Sequence, residues 1–214
     1  FQYVPSQSKS VSEEKSEAER IAEYNRRFNE ELQKQIDGTL EKGHIYNLGK
    51  PGAILQSAGF PDYDIELSAT RLAFKSEQNR HPYNLEDIRD LVVSLNNPVA
   101  VFTYGKVKSA QNVIIEQERD GKNFLTGVHF NQERHGCVVS DIRGLFNKDN
   151  EKWLNWIAQG KTLYLNKEKI QAVIAKQRTN LAEVSYLDLD FVTKIVKNFE
   201  NPKLYDEKLD LDDL

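Results

Sequence analysis

Polar side chains within apolar, strand-like stretches are the first candidates for chemistry. His129 shares a strand face with Leu125, because successive side chains of a strand alternate between its two faces. Ser140 lies in the next such stretch and shares a face with Ile142. An imidazole can transfer protons near neutral pH, and a hydroxyl among aliphatic neighbours needs a partner. Either residue could serve a site. The alternative for Ser140 is a hydroxyl satisfied by a neighbouring carbonyl or by water.

A further histidine stands in a loop. His81 follows Arg80 and precedes Pro82, just before a stretch with the pattern of a helix, and Arg71 is close in the sequence. Loops that are held by a rigid scaffold often carry functional residues. The alternative is a surface histidine that caps or packs beneath the helix.

Familiar catalytic motifs are missing from the sequence. It contains no phosphate-binding loop, no G-x-G-x-x-G, no H-E-x-x-H, no G-x-S-x-G and no C-x-x-C. Cys137 is the single cysteine and lies in an apolar stretch, so we expect a small buried residue there, not a nucleophile. One cysteine and four histidines exclude a disulfide framework and a thiolate-rich zinc site. We therefore expect neither a metal nor a cofactor.

The net charge comes from one short segment. The chain of 214 residues has 29 Lys and Arg against 33 Asp and Glu, a net charge of −4, which argues against a nucleic-acid partner. Residues 206–214, however, hold five acidic residues and one lysine and account for that whole excess. The rest of the chain is neutral overall, so a local basic surface is compatible with its composition.

The elements that position these residues begin with helices. Apolar residues between Ala18 and Leu40 recur every three or four positions, and Ser16 with Glu19 forms a capping-box pattern, so we predict a long amphipathic helix that ends near Lys42. A short helix is predicted over residues 53–58 and a brief strand over residues 65–68. Asn84 begins another predicted helix, whose apolar face is formed by Leu85, Ile88, Leu91, Val92 and Leu95.

After Pro98 the pattern changes to strands. β-branched and aromatic residues dominate four successive stretches, and Asp120-Gly121 marks a hairpin between the second and the third. These predicted strands are residues 99–104, 112–118, 123–130 and 136–141. A helix over 150–159, a strand over 162–165 and helices over 167–178 and 189–200 follow. We predict an α+β fold in which N-terminal helices precede an antiparallel sheet of four to five strands, with C-terminal helices.

Composition divides the chain into four parts. Residues 1–16 are predicted to be a flexible leader, 17–42 the amphipathic helix, 43–200 a single α+β domain and 201–214 an acidic tail. No stretch approaches the roughly 20 apolar residues that cross a bilayer, and the first residues lack the regions of a signal peptide. We therefore expect no membrane contact and a cytoplasmic location. The absence of methionine, even at position 1, is expected of a piece of a longer polypeptide.

Several short motifs occur in a particular order between about residues 45 and 170. They are Leu48-Gly49-x-Pro51, Ile54-Leu55, the turn at Gly59, Ile65-x-Leu67-Ser68, His81, Asn97-Pro98 with Val101-Phe102, Val138-x-Ser140, Trp153 and Gly160-x-x-Leu163-Tyr164-x-Asn166-Lys167. In this order they resemble the MuF C-terminal domain, a family found in phage head-morphogenesis polyproteins and in large polyvalent proteins of phages and conjugative elements.

The resemblance implies a relationship to small metal-independent nucleases of the barnase, EndoU, colicin and RelE type. These nucleases share an α+β fold in which helices lead into a four-stranded antiparallel sheet. The residues of this chain at the matching motif positions are Ser68, His81, Ser140, Asn166 and Lys167.

The implied chemistry is the cleavage of RNA. A base removes the proton of a ribose 2′-hydroxyl, the oxygen attacks the adjacent phosphorus, and an acid protonates the departing 5′ oxygen. His81 is the expected base or acid, and His129 the expected second acid. Arg71, Arg80 or Lys167 would stabilise the developing charge, with Ser140 and Thr103 as orienting donors. Arg143 and Asn166 complete the expected substrate-binding set.

Two functions from different classes remain open. One is a ribonuclease-like effector or toxin module that a phage or conjugative element delivers into a host cell. The other is a noncatalytic interaction or structural domain of a mobile-element polyprotein, with the long helix or the acidic tail docking a partner or an immunity protein. A groove that gathers cationic side chains would favour the first; the expected members are Arg71, Lys75, Arg80, Arg143 and Lys167.

Overall fold

The computed structural model describes residues 16–78 and 82–180. Nearly all of the predicted leader, the helix predicted over residues 189–200 and the acidic tail lie outside these ranges, as do Arg80 and His81.

The described residues form six α-helices, one 3-10 helix and seven strands. The N-terminal half contains α1 (Glu17–Ile36), β1 (Ile45–Asn47), α2 (Ala53–Ser57), β2 (Ile65–Ser68), α3 (Ala69–Gln78), the 3-10 helix (Leu85–Ile88) and α4 (Leu91–Asn96). The C-terminal half contains β3 (Ala100–Tyr104), β4 (Val107–Arg119), β5 (Lys122–Arg134), β6 (Cys137–Asn147), α5 (Asn150–Ala158), β7 (Thr162–Leu165) and α6 (Lys167–Asn180).

All seven strands belong to one mixed sheet, with the order β1-β2-β6-β5-β4-β3-β7. This confirms the predicted α+β class, but the prediction of four to five strands was too low. The sheet is also not wholly antiparallel, because β2 runs parallel to β6, with Ile65 opposite Ser140. β1 spans three residues in a stretch rich in Gly and Pro, too short to show a period of two.

Helix α1 begins where its sequence predicts and ends earlier. The Ser16 side chain accepts a hydrogen bond from the Glu19 N–H at 3.3 Å, and the Glu19 carboxylate accepts one from the Ser16 N–H at 3.0 Å. The helix stops at Ile36 and not near Lys42, because Gly38 adopts a left-handed φ of 72°. The buried side chains of Phe28 and Leu32 fasten it to the core.

The stretch predicted as one helix from Asn84 is broken in two. Asp90 separates the 3-10 helix from α4 with a φ of 61°. The Asp90 carboxylate accepts hydrogen bonds from the side-chain amides of Asn25 and Asn29 of α1, at 2.8 and 2.7 Å. These bonds lower the pKa of Asp90, the one from Asn29 most. The apolar face itself is confirmed, since Ile88, Leu91, Val92 and Leu95 are fully buried.

Helices pack on both faces of the sheet. On the first face, α1 to α4 and the 3-10 helix share a core with strand residues that include Val101, Val113, Val128 and Ile142. On the second face, α5 and α6 cover Ala100, Phe102, Ile114 and Leu125, with Trp153, Leu154 and Ile170 from the helices. No helix in the described residues is long and apolar enough to cross a membrane.

Candidate functional site

The second face has two parts. Leu165, Ala100, Ile114, Leu125 and Phe146 are successive partners across β7, β3, β4, β5 and β6. We call them the covered row, because they pack with α5 and α6. Four residues further along β5, a second row runs through Glu66, Asp141, His129 and Ala110 of β2, β6, β5 and β4. We call it the polar row.

Two bulges bracket the pair formed by His129 and Asp141. On one side Gly127 opposes Gly144 while Val128 opposes Ile142, so Arg143 is an extra residue in β6. On the other side β5 contains an extra residue between His129 and Gln132, where Asn131 has a φ of 55°. Bulges redirect side chains and are frequent beside active sites. Here they place Arg143 close to the carboxylate of Asp141.

Asp141 is the centre of a charged cluster. Its side chain is 3% exposed and forms ion pairs with Arg71, Arg134 and Arg143. The Arg71 guanidinium lies 2.9 Å from both carboxylate oxygens and also donates to the carbonyl of Ile142 at 2.9 Å. Asp141 is the last residue of β6 that pairs with β2, and Ile142 is the next residue along β6. Arg71 therefore binds the edge of β6 where its pairing with β2 ends.

The remaining arginines complete the Asp141 cluster, which we define as Glu66, Arg71, Arg134, Asp141 and Arg143. Arg134 bridges Glu66 at 2.6 Å and Asp141 at 3.0 Å. Arg143 lies 3.3 Å from Asp141 and donates to the Gln132 side chain. Three guanidiniums against two carboxylates leave the cluster with one excess positive charge. Arg143 has the most exposed side chain of the three arginines, at 47%.

His129 lies beside this cluster in a partly buried position. Its ring contacts the Tyr104 ring in an edge-on geometry, with centroids 5.1 Å apart. Burial lowers the pKa of His129 below its ordinary value, and the nearby charges of Arg143 and Arg71 lower it further, while Asp141 opposes the shift. His129 is therefore mainly neutral at pH 7 and able to accept a proton.

Arg71, Lys75 and Arg143 also meet in a shallow groove. All three line it, between α3 and the edge of β6 that continues past the end of β2, together with Gly144 and apolar side chains. Three of the five cations expected in one groove are therefore together. Arg80 lies outside the described residues, and Lys167 is elsewhere.

The predicted hydroxyl donors are dispersed. Ser140 is fully buried, and its Oγ has no hydrogen-bonding partner among the described residues. It shares the first face with Ile142 and is closed to a substrate in this structure. Thr103 pairs with Gln111, whose side chain binds the Ala58 carbonyl, and so points to the first face, away from His129. Ser68 lies at the end of β2, where its Oγ accepts a hydrogen bond from the Arg71 N–H at 3.3 Å.

Asn166 and Lys167 lie at the far edge of the sheet. They follow β7, which is five strand positions from β2 and three from β5, or roughly 24 and 14 Å at the usual strand spacing, and they adjoin the covered row, about 13 Å along β5 from His129. The Asn166 side chain accepts a hydrogen bond from the Lys169 N–H at 3.1 Å and thereby caps α6. Lys167 is exposed in the first turn of that helix. Neither residue can share a phosphate with His129 or Arg71.

Sequence reasoning missed Asp141, Arg134 and Glu66. The available signal was Asp141 itself, a carboxylate directly after Ser140 in an apolar stretch, because a buried carboxylate requires charged partners. A different expectation is corrected: Cys137 is exposed, because it begins β6 beside the hairpin turn instead of lying in its interior. No three His, Cys, Asp or Glu side chains of the described residues are placed to hold a metal ion.

These features define an α+β protein with a mixed sheet, helices on both faces and a charged, imidazole-bearing area on the second face. Comparison with protein families adds one finding: the model of the phage MuF-C-terminal domain matches residues 73–172, from within α3 to the first turns of α6. This match supports the resemblance for that part of the chain, which contains Arg134, Asp141, Arg143 and His129. Comparisons with curated proteins and with solved structures found no match.

Proposed function

We propose that this chain is a phage-related ribonuclease-like domain, an effector or toxin module that cleaves RNA at the second face beside His129 without a metal ion. The observation that carries the proposal is the polar row: a partly exposed, mainly neutral imidazole lies opposite Asp141, between two bulges and beside the half-exposed Arg143. The match of residues 73–172 to a phage domain supports the phage relationship.

In the proposed reaction His129 is the general base. Its lowered pKa leaves the imidazole free to remove the proton of a ribose 2′-hydroxyl at neutral pH. The 2′ oxygen then attacks the adjacent phosphorus, the bond from phosphorus to the 5′ oxygen breaks, and the departing oxygen takes a proton from water. The products are a 2′,3′-cyclic phosphate and a free 5′-hydroxyl.

Arg143 and the groove supply the positive charge that this step needs. Negative charge accumulates on the phosphoryl oxygens as the new bond forms, and fixed guanidinium groups stabilise it. The Arg143 side chain is 47% exposed, and its guanidinium donates to the Asp141 carboxylate and to the Gln132 side chain. Arg71 and Lys75 extend the cationic surface along the groove. This partial clustering is the arrangement that favours RNA over a protein partner.

The test is cleavage of total tRNA by the wild type and by His129→Gln, each with and without a chelator. We expect the wild type to release fragments ending in 2′,3′-cyclic phosphate in both conditions. Loss of the base should reduce the rate by about 10²- to 10⁴-fold. His135→Asn is the matched control, because His135 is exposed in the hairpin turn with a φ of 51° that asparagine tolerates. Its rate should equal that of the wild type.

Two outcomes would contradict the proposal. Fragments that disappear with the chelator would remove the metal-independent mechanism, and equal rates for His129→Gln and the wild type would remove His129 as the base. In the second case, His81→Gln would show whether the histidine that the motif order indicates carries the reaction.

A noncatalytic interaction domain is the second candidate. One observation favours it: Asp141 binds Arg71, and Ser140 is buried, so two residues of the predicted site are held in the structure or closed to a substrate. This candidate predicts that the wild type leaves tRNA intact under every condition of the same assay.

A further inference from the structure

Tyr104 is a large aromatic side chain that the proposed reaction does not use. It ends β3 beside the tight turn at Gly105, and 37% of it is exposed. Among the exposed large hydrophobic residues of the described chain only Tyr104 and Phe74 are aromatic. Of these two residues, Tyr104 is the one whose ring contacts His129.

The ring of Tyr104 is supported from beneath. Gly127 lies in β5 between the covered row and His129, and a Cβ added there would lie 3.6 Å from Tyr104 Cε2. The ring therefore occupies the space above a residue without a side chain. Gly144 of β6 is opposite Gly127, so neither position puts a side chain on this part of the second face. The His129 ring contacts the Tyr104 ring at an interplanar angle of 63°, and Tyr104 is 37% exposed, so part of its ring stays open.

An aromatic ring that is supported on one side and open on the other can stack a nucleobase. Proteins that bind single-stranded nucleic acids use such rings together with cationic side chains that follow the backbone. Exposed Lys106 lies in the same turn, and Arg143 lies beyond His129 on the second face. Because the two rings are in contact, a nucleotide whose base stacks on Tyr104 would have its ribose, or that of the adjacent nucleotide, beside the His129 imidazole.

We propose that Tyr104 is a base-stacking residue and that the substrate of the site is unpaired RNA. This inference rests on the proposed function and specifies its substrate class. Bases inside a duplex are already stacked and cannot lie on Tyr104. Selection for an unpaired nucleotide then follows from the geometry beside His129, without any reading of base edges.

The test measures binding without cleavage. The probe is a fluorescent 2′-O-methyl strand of mixed sequence, which has no free 2′-hydroxyl for attack, used alone and as a duplex with its complement. The full chain is compared with Tyr104→Phe and Tyr104→Leu by fluorescence anisotropy. We expect Tyr104→Phe to bind the single strand within about threefold of the wild type and Tyr104→Leu to bind it roughly 5- to 100-fold more weakly. Binding of the duplex should be the same in all three.

Phe74→Leu is the matched control, because Phe74 is the other exposed aromatic residue and lies on α3. It should leave single-strand binding unchanged. Unchanged binding by Tyr104→Leu would overturn the inference, as would an equal loss for single strand and duplex, or a wild type that binds neither. Unchanged duplex binding by Tyr104→Leu shows that this variant is folded, and retained single-strand binding by Tyr104→Phe assigns the effect to the aromatic ring.

The two proposals can fail separately. A wild type that binds the probe through Tyr104 but leaves tRNA intact would support the stacking residue and end the ribonuclease proposal. A wild type that cleaves tRNA, together with a Tyr104→Leu variant of unchanged affinity, would do the reverse.

Discussion

The covered and polar rows show how one strand serves two purposes. Leu125 and His129 lie on the same face of β5, four residues or about 13 Å apart. Leu125 is 4% exposed and packs with Ile114, Trp153 and Leu154. His129 has no such cover in the described part of the chain and instead has Asp141 and Tyr104 as neighbours. Where the helix layer ends, the same face changes from core to polar surface.

The two rows are held together by different forces. Burial of apolar area under α5 and α6 stabilises the covered row, and that contribution is insensitive to charge and pH. The polar row is stabilised by ion pairs around one buried carboxylate, whose gain is offset by the cost of removing that carboxylate from water. The covered row therefore gives a rigid support, and the neighbouring polar row can bind an anion without any displacement of the helices that cover the core.

The largest expected difference between the rows is in stability. Leu125→Ala removes a buried side chain and leaves a cavity, so it should lower the free energy of unfolding by about 3 kcal/mol. His129→Ala on the same strand and face should lower it by less than about 1 kcal/mol. Urea unfolding of both variants and the wild type measures this. Equal losses would show that His129 lies in a packed core and that the polar row is not a surface.

A smaller loss is expected from the centre of the polar row. Asp141→Asn keeps the shape of the side chain but removes the charge that faces three arginines. Arg71 and Arg134 side chains are 32% and 19% exposed, and Arg134 keeps Glu66, so solvent and the second carboxylate reduce the cost. We expect a decrease of about 2 kcal/mol in the free energy of unfolding.

Asp62→Asn is the control for this prediction. Asp62 also forms an ion pair, with Lys50, but both side chains are more than half exposed, so the change should be within about 0.5 kcal/mol. Similar urea midpoints for Asp141→Asn and Asp62→Asn would mean that the Asp141 cluster contributes no more than a surface ion pair.

Local patterns predicted most of the covered row, although Phe146 lies in the part of β6 beyond the strand predicted over residues 136–141. The strand from Thr162 to Leu165 has the predicted bounds. Helix α5, which contains Trp153 and Ile157, ends at Ala158, two residues before the glycine that was predicted to stop it. Helix α3 was missed because its apolar residues form no single stripe: Leu72 is buried while Phe74 is exposed. The break at Asp90 was missed because its cause is α1, more than 60 residues earlier in the chain.

The polar row could be predicted only in part. His129 followed from alternation along its own strand, and Arg71 and Arg143 were expected to bind substrate. Their common partner could not be found, because Arg71 and Asp141 are 70 residues apart and meet only through the parallel pairing of β2 with β6. Local periodicity predicts single strands but not their order in the sheet. For the same reason the motif order grouped Asn166 and Lys167, which follow β7, with Ser68 at the end of β2, near the opposite edge of the sheet.

The smallest expected effect is on the pH dependence of stability. It distinguishes the two rows, because only the polar row contains a group, His129, that changes its protonation near neutral pH. Because the folded protein lowers the pKa of His129, the unfolded chain binds more protons at this residue between that lowered pKa and the ordinary value near 6.5. His129 therefore favours the folded state less at about pH 5 than at about pH 7.5. His129→Gln removes this dependence, so its free energy of unfolding should change less between these two pH values than that of the wild type.

The wild type and His129→Gln differ only at residue 129, so the comparison isolates this residue. The same shift predicts that the rate of RNA cleavage by the wild type falls on the acidic side with a midpoint below 6.5, since only the neutral imidazole accepts the 2′-hydroxyl proton.

Leu125→Ala should lower the free energy of unfolding equally at both pH values, because no titrating group lies in the covered row. A midpoint above 6.5 would mean that Asp141 outweighs burial and the two arginines, and would reverse the electrostatic basis of the proposed site.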